Sequence, residues 1–351
     1  MRALEHDPAL VTRPVSIAYL TGLRIEPHER LAALVKRGGR AVLLVPELER
    51  DHAAAEAGDV EVVVWRDGDD PVDALAELIG PADVLAVERG HITLRLAEEL
   101  RSRLDISEFA DLDDELRRLR MVKSPDEIAL LQKAAAITDS VCAATLEALR
   151  PGQTELEVEG AVLARIADAG AEPSFGPLIQ SGPNGALPHL GPTSRRLEPG
   201  DLVVVDVGAA WRGYKGDITR MAVLGPPDAE QRRLHDLVLR AHDLGLATVR
   251  PGVQAGEVDL AARGVIEQAG EGERFIHRTG HGLGLDGHEE PNFAPGDETV
   301  LGPGMVATIE PGVYIQGWGG VRIEYDVVVT DSGSRSLTQL GTALFVVNAT
   351  T

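Results

Sequence analysis

The sequence predicts two domains: an α/β domain in the first third and a larger second domain built on an internal duplication. Three observations carry that reading. Short apolar runs alternate with helical patterns up to Leu112. A Ser-Pro-Asp-Glu cluster at 124–127 opens a new helix. The stretch at 149–170 then recurs, without a gap, at 249–270.

In the first domain, residues 41–45, 60–65 and 84–87 are compact apolar runs of strand character. Helical spacing is read around 29–35 and 72–78, which completes an alternating α/β pattern. The charged run DLDDELRRLRMVK follows and is taken as a linker at 113–123, between domains at 1–112 and 124–351. Ser124 as cap, Pro125 at the first helical position and Glu127 three on form a capping box. Residues 149–170 read LRPGQTELEVEGAVLARIADAG and residues 249–270 read VRPGVQAGEVDLAARGVIEQAG. Arg-Pro-Gly, a valine at 158 and 258, and the closing Ala-Gly coincide at an offset of 100. Each copy follows a long helix, so the second domain is expected to have pseudo-twofold symmetry with a site between its halves.

Composition excludes several functions. A formal charge of −22 argues against a nucleic-acid partner, because phosphate binding needs clustered Lys and Arg. No stretch approaches the length of a membrane span, and MRALEHDPAL lacks an apolar signal core, so a cytoplasmic protein is expected. Cys142 is the single cysteine, which rules out an intrachain disulfide. It lies in a helical run and reads as a small buried hydrophobe rather than a nucleophile.

The chemistry lies in the second domain. An apolar strand at 202–205 ends in Asp206, and after the turn AAWRGYKG the chain returns through Asp217. A hairpin would bring both carboxylates together, and like charges repel unless a proton or cation lies between them. A single acid at a strand end is usually a turn cap, but two converging acids are harder to dismiss. His277, His281 and His288 follow in a glycine-rich, loop-like stretch. Glu310 ends a further apolar strand in Glu310-Pro311-Gly312. Arg322 and Glu324, two apart before the strand 326–329, are expected to share a face. Taken singly, either glutamate would read as an ordinary salt-bridged acid.

The order Asp, Asp eleven later, Gly-His-Gly, Glu-Pro-Gly and Arg-x-Glu resembles the pita-bread metallopeptidases. Within them the chain is similar to the aminopeptidase P and prolidase branch over its whole length. The resemblance implies a creatinase-like α/β N-terminal domain and an α+β pita-bread catalytic domain. It implies two divalent ions: Asp206 binding one through both oxygens, His281 and Glu310 the other, and Asp217 and Glu324 bridging. Glu310 would also be the proton carrier, with His189, His277 and His288 as auxiliary groups. Tyr325 departs from the pattern, in which an Asp commonly follows the bridging Glu. Four carboxylates and one imidazole form a hard donor set suited to Mn²⁺, with Co²⁺ or Zn²⁺ as substitutes.

The implied activity is hydrolysis of the bond between an N-terminal residue and proline in short proline-containing peptides. Xaa-Pro dipeptides are the expected substrates, as for a prolidase. The alternatives are an aminopeptidase P acting on longer peptides and a non-catalytic binding module. Arg322 is expected to clamp the dipeptide's carboxylate. Arg24 or Arg30, in the loop 21–30, would be a second cation across a homodimer interface. Methionine aminopeptidase and creatinase share the fold. The first usually lacks the N-terminal domain and this Arg-x-Glu, and the second loses ligands that are all present here.

Overall fold

The computed structural model describes residues 4–348. The chain divides into two compact units, Met1–Arg120 and Met121–Thr351. The first contains β1 (Ala9–Val11), α1 (Pro14–Thr21), β2 (Ala33–Arg37), β3 (Arg40–Pro46), α2 (Arg50–Glu56) and β4 (Glu61–Trp65). It continues through α3 (Pro71–Ile79), β5 (Val84–Val87), α4 (Leu94–Arg103) and β6 (Glu108–Asp111). The six strands form one mixed sheet in the order β4-β3-β2-β1-β5-β6. The segment read as a linker carries a helix, α5 (Asp113–Met121).

One expected helix is a strand. Residues 29–35, read as helical, enter β2, which pairs antiparallel with β3 from Ala33↔Leu44 to Arg37↔Arg40. The turn between them is Gly38-Gly39, with φ of 59° and 75°. Two successive positive-φ residues give a hairpin turn whose twist matches the strands, and this outweighs the weak helical spacing before it. Arg30 pairs with Asp67 through Nε and Nη2, at 3.1 and 2.9 Å.

In the second unit, α6 (Pro125–Ala148) starts at the expected capping box: Ser124 N donates to Glu127 Oε2 at 2.8 Å, and Glu127 N to Ser124 Oγ at 3.4 Å. Its buried face runs Leu131, Ala134, Ala135, Thr138, Val141, Cys142 and Thr145, at the three-to-four spacing of one helix side. Cys142 is fully buried there, which pushes its thiol up to about 12 and keeps it inert. After α7 (Glu155–Asp168) come β7 (Glu172–Pro173), β8 (Leu178–Ser181), β9 (Leu202–Val207), β10 (Ala209–Trp211), β11 (Tyr214–Lys215) and β12 (Ile218–Leu224). Helices α8 (Ala229–Thr248) and α9 (Ala255–Gln268) then repeat the pattern of α6 and α7. They lead into β13 (Gly280–Gly282), β14 (Glu289–Phe293), β15 (Val306–Ile309), β16 (Gly312–Ile315), β17 (Gly319–Arg322), β18 (Tyr325–Val329), β19 (Ser334–Ser336) and β20 (Phe345–Val347). No described helix is long and apolar enough to cross a membrane.

The duplication seen in sequence is a duplication in space. Gly152 and Gly252 take φ of 88° and 85°, which glycine adopts without strain. Each donates its amide to a leucine carbonyl, Leu197 at 2.8 Å and Leu301 at 2.9 Å. Each of those leucines donates back to the residue after the glycine, Gln153 and Val253, at 2.8 Å. The antiparallel series β8-β9-β12 in one half is matched by β13-β15-β18 in the other.

Glu155, at the start of α7, is fully buried and organises the loop 181–193. It accepts from Ser181 N and Oγ at 2.7 Å, from Thr193 N at 2.9 Å and Oγ1 at 2.7 Å, and from Asn184 Nδ2 at 3.0 Å. Glu155→Ala strands all these donors, so unfolding in urea is expected to show a loss of about 3 kcal/mol or more. Protease cleavage within 181–193 should rise in parallel.

Candidate metal centre

Strand pairing places the acids. β9 and β12 pair with Thr219 opposite Asp206, so Asp206 ends one strand and Asp217 immediately precedes its partner. β15 and β18 pair with Tyr325 opposite Ile309, so Glu310 and Glu324 follow as the next facing positions, at the corresponding end of the strand pair in the other half. The halves also cross-link through backbone amides that donate across. Asp217 N donates to Asp326 Oδ2 at 2.9 Å, and Glu324 N to the Thr219 carbonyl at 3.3 Å. His281 lies in β13, a strand rather than the expected loop. A Cβ on Gly280 would lie 2.0 Å from the Thr308 carbonyl, so the flanking glycine serves close strand packing.

All nine residues singled out from sequence line one cavity of about 570 Å³: His189, Asp206, Asp217, His277, His281, His288, Glu310, Arg322 and Glu324. Ligating atoms of Asp217, His281 and Glu324 lie within 4.8 Å of one another. Burial, then mutual repulsion, raises the carboxyls of Asp217 and Glu324 well above the usual range. Glu310 is pushed up to about 7, by burial first and then by the charge of Asp206. The cluster therefore holds protons unless cations replace them.

The donor atoms fit divalent cations. Oδ1 of Asp206 and Oδ1 of Asp217 are buried without a hydrogen-bond partner among the described residues. Such oxygens are costly to leave bare, and a cation satisfies them. His281 Nδ1 donates to the Gly282 carbonyl at 3.0 Å, which fixes the tautomer and leaves a lone pair on Nε2. Burial, then the charge of His288, holds this imidazole down to about 3, so it is neutral. Its Nε2 faces Glu310 Oε1 at 3.3 Å, an approach of two acceptors that requires a proton or a metal between them.

Arg322 does not stand free for substrate. It is buried and donates through Nη2 to Asp206 Oδ2 at 2.6 Å, Nε to Thr219 Oγ1 at 3.1 Å and Nη1 to Tyr314 Oη at 3.0 Å. The expected clamp on a substrate carboxylate is thus replaced by an internal pairing with an acid. Arg322 and Glu324 are not on one strand, since β17 ends at Arg322 and β18 begins at Tyr325. They meet through Thr219, whose Oγ1 donates to Glu324 Oε2 at 2.7 Å.

The histidines divide into two kinds. His277 Nδ1 donates to the Arg278 carbonyl at 2.7 Å, and its Nε2 accepts from the Tyr314 hydroxyl at 2.8 Å. Burial, then Arg322, brings His277 down to about 4, while burial pushes Tyr314 up to about 12, so both are neutral and this polarity is fixed. His189 and His288 are exposed, and no side chain or carbonyl among the described residues hydrogen-bonds their rings. Gln180 Nε2 holds the His189 loop by donating to the carbonyls of Leu187, Pro188 and Leu190 at 2.9, 3.2 and 2.8 Å. The His288 loop is held by Glu289, which accepts from Asp286 N at 3.0 Å and pairs with Lys123 at 3.2 Å. Sequence reasoning missed Tyr314 and Thr219, and Arg278, Phe175 and Leu178 on the cavity wall. Tyr314 lies four residues beyond Glu310, which was the only local signal for it.

Residues 129–331 match the model of metallopeptidase family M24, and residues 1–122 match the creatinase/prolidase N-terminal domain. The chain belongs to metallopeptidase family M24. This metallopeptidase is 38% identical to the Xaa-Pro dipeptidase of Pyrococcus furiosus, over 95% of this chain and 93% of that protein. It superimposes on the prolidase of Pyrococcus horikoshii with a TM-score of 0.91 and 37% identity, covering 96% and 95% of the two chains. An X-Pro aminopeptidase from Thermotoga maritima gives a TM-score of 0.88 and 31% identity, with 97% of each chain covered. The metallopeptidase therefore has the creatinase-like and pita-bread domains expected from sequence.

The raised carboxyls set a sign for metal binding. A cation binds the deprotonated cluster and must displace protons held by groups such as Glu310. Mn²⁺ affinity measured by calorimetry is expected to rise from pH 5.5 to pH 8, with protons released on binding.

Proposed function

We propose that this chain is a two-metal exopeptidase that hydrolyses the bond between an N-terminal residue and proline, with Xaa-Pro dipeptides as its substrates. The observation that carries the reading is the convergence of four carboxylates and one neutral imidazole in a single cavity of about 570 Å³. That volume suits a short peptide rather than a folded chain. Asp206 would hold one ion, His281 and Glu310 the other, and Asp217 and Glu324 both. The reading includes Mn²⁺, supported by the oxygen-rich donors, and a homodimer, supported by the family resemblance.

The ions, when bound, supply Lewis acidity to the scissile carbonyl and to water. The protein's own groups do the rest. Glu310 would take a proton from water and return it to the leaving proline nitrogen. Phe175, Leu178 and Pro188 offer an apolar wall for the pyrrolidine ring. His189 and His288 have ring nitrogens available for the peptide, whereas His277 serves to orient the Tyr314 hydroxyl.

Asp217→Asn is expected to lose metal, because one carboxylate would serve both ions. His288→Ala is expected to keep its metal and lose kcat by roughly 10²–10⁴-fold, as for a group acting in the transition state. Metal analysis beside steady-state kinetics checks both, and a metal-free His288→Ala would overturn the division of roles.

The proposal as a whole is tested by a substrate-length series after chelation and reloading with Mn²⁺. Ala-Pro should be cleaved faster than Ala-Pro-Yaa and longer peptides, and Ala-Ala hardly at all. A preference for longer Xaa-Pro peptides would make the enzyme an aminopeptidase P. Full metal occupancy without cleavage of any peptide would make it a binding module.

A further inference from the structure

An Xaa-Pro dipeptide carries its free carboxylate one residue beyond the scissile bond. A site that prefers it to longer peptides needs a cation beside the reacting atoms. Two guanidinium groups line the cavity, those of Arg322 and Arg278. Arg322 is buried, with each of its three nitrogens bonded, to Thr219, Tyr314 and Asp206, the last as an ion pair. The nearby Lys215 ammonium donates to the Ser174 carbonyl at 2.8 Å.

Arg278 differs. It is half-buried on the cavity wall, between His277 and the strand that carries His281. Its Nη1 donates to Asn292 Oδ1, and the Asn292 amide in turn donates to Glu290 Oε2 at 2.8 Å. Among the described residues that is its one side-chain hydrogen bond, and no carboxylate there forms an ion pair with it. A guanidinium has five N–H donors, so most of this one remains available. Its positive charge acts on Glu310, His281 and His288, the groups around which hydrolysis is proposed to occur.

We propose that Arg278, held in place by Asn292, recognises the free carboxylate of an Xaa-Pro dipeptide and so sets the length of substrate. This rests on the peptidase reading above and names the residue that gives it dipeptide specificity. Guanidinium and carboxylate meet through two parallel hydrogen bonds, a geometry that an amide or a lysine cannot reproduce. A peptide extended beyond proline places an amide where the carboxylate would sit, and Arg278 then gains little from it.

The test compares Ala-Pro with Ala-Pro amide on Mn²⁺-loaded enzyme. Arg278→Gln should raise KM for Ala-Pro about 10- to 100-fold while leaving KM for the amide within about twofold. Arg278→Lys should recover part of the loss, since it restores charge without the paired hydrogen bonds. Asn292→Ala should shift KM in the same direction by less. Metal content and circular dichroism should match wild type in each variant. Equal KM changes on acid and amide, or none on either, would overturn the assignment. Wild-type enzyme that cleaves neither substrate would instead overturn the peptidase reading, and the assignment would fall with it.

Discussion

Four carboxylates facing one cavity repel each other, and burial removes the water that would otherwise screen them. One buried arginine cannot balance them. Arg322 pairs with Asp206 and offsets Glu310 only in part, so Asp217, Glu324 and Glu310 remain with raised proton affinity. Much of the surrounding arrangement follows from that charge. The adjoining histidines are held neutral by burial, and Tyr314 keeps its proton. Unpaired oxygens on Asp206 and Asp217 remain turned to a place where cations belong.

Duplication is how the fold assembles such a cluster from ordinary strands. Each half contributes an acid where one strand ends and another just before the paired strand begins. An antiparallel pair holds those two acids near each other, and the bonds from the Asp217 amide to the Asp326 carboxylate and from the Glu324 amide to the Thr219 carbonyl join the halves. Strands and the residues directly at their ends therefore carry the proposed ligands. The histidines free to meet a peptide, His189 and His288, lie on loops. Glu155 and Gln180 fasten the first loop, and the Lys123–Glu289 pair fastens the second. A reaction that needs fixed donors and an accommodating substrate pocket is well served by that division.

Tyr325 shows how a departure from the family pattern is absorbed. Its ring stacks against the Arg220 guanidinium at 4.5 Å and meets His242 edge-on at 5.0 Å. Arg220 is almost wholly buried, yet it bonds to backbone carbonyls, those of Thr219, Glu324, Leu340 and Gly341. Its position behind Glu324 places a positive charge near the cluster without entering the cavity.

The sequence by itself determined which residues gather in one cavity and that the catalytic half is duplicated. Strand-terminal acids, a glycine-flanked histidine and a repeat at fixed offset are local patterns, and local patterns survive in one dimension. The capping box at Ser124 and the inert Cys142 were legible for the same reason. Helical spacing around 29–35 misled because the deciding signal was the Gly38-Gly39 turn, which only pairing with β3 brings into effect. Tertiary structure alone decided what Arg322 does. Its partner Asp206 lies 116 residues away, and no spacing in the chain reveals that the two side chains meet at 2.6 Å. The direction of the His277–Tyr314 hydrogen bond, and Arg278 left without a carboxylate partner among the described residues, were fixed in the same way, because burial and long-range pairing arise only when the two halves close on each other.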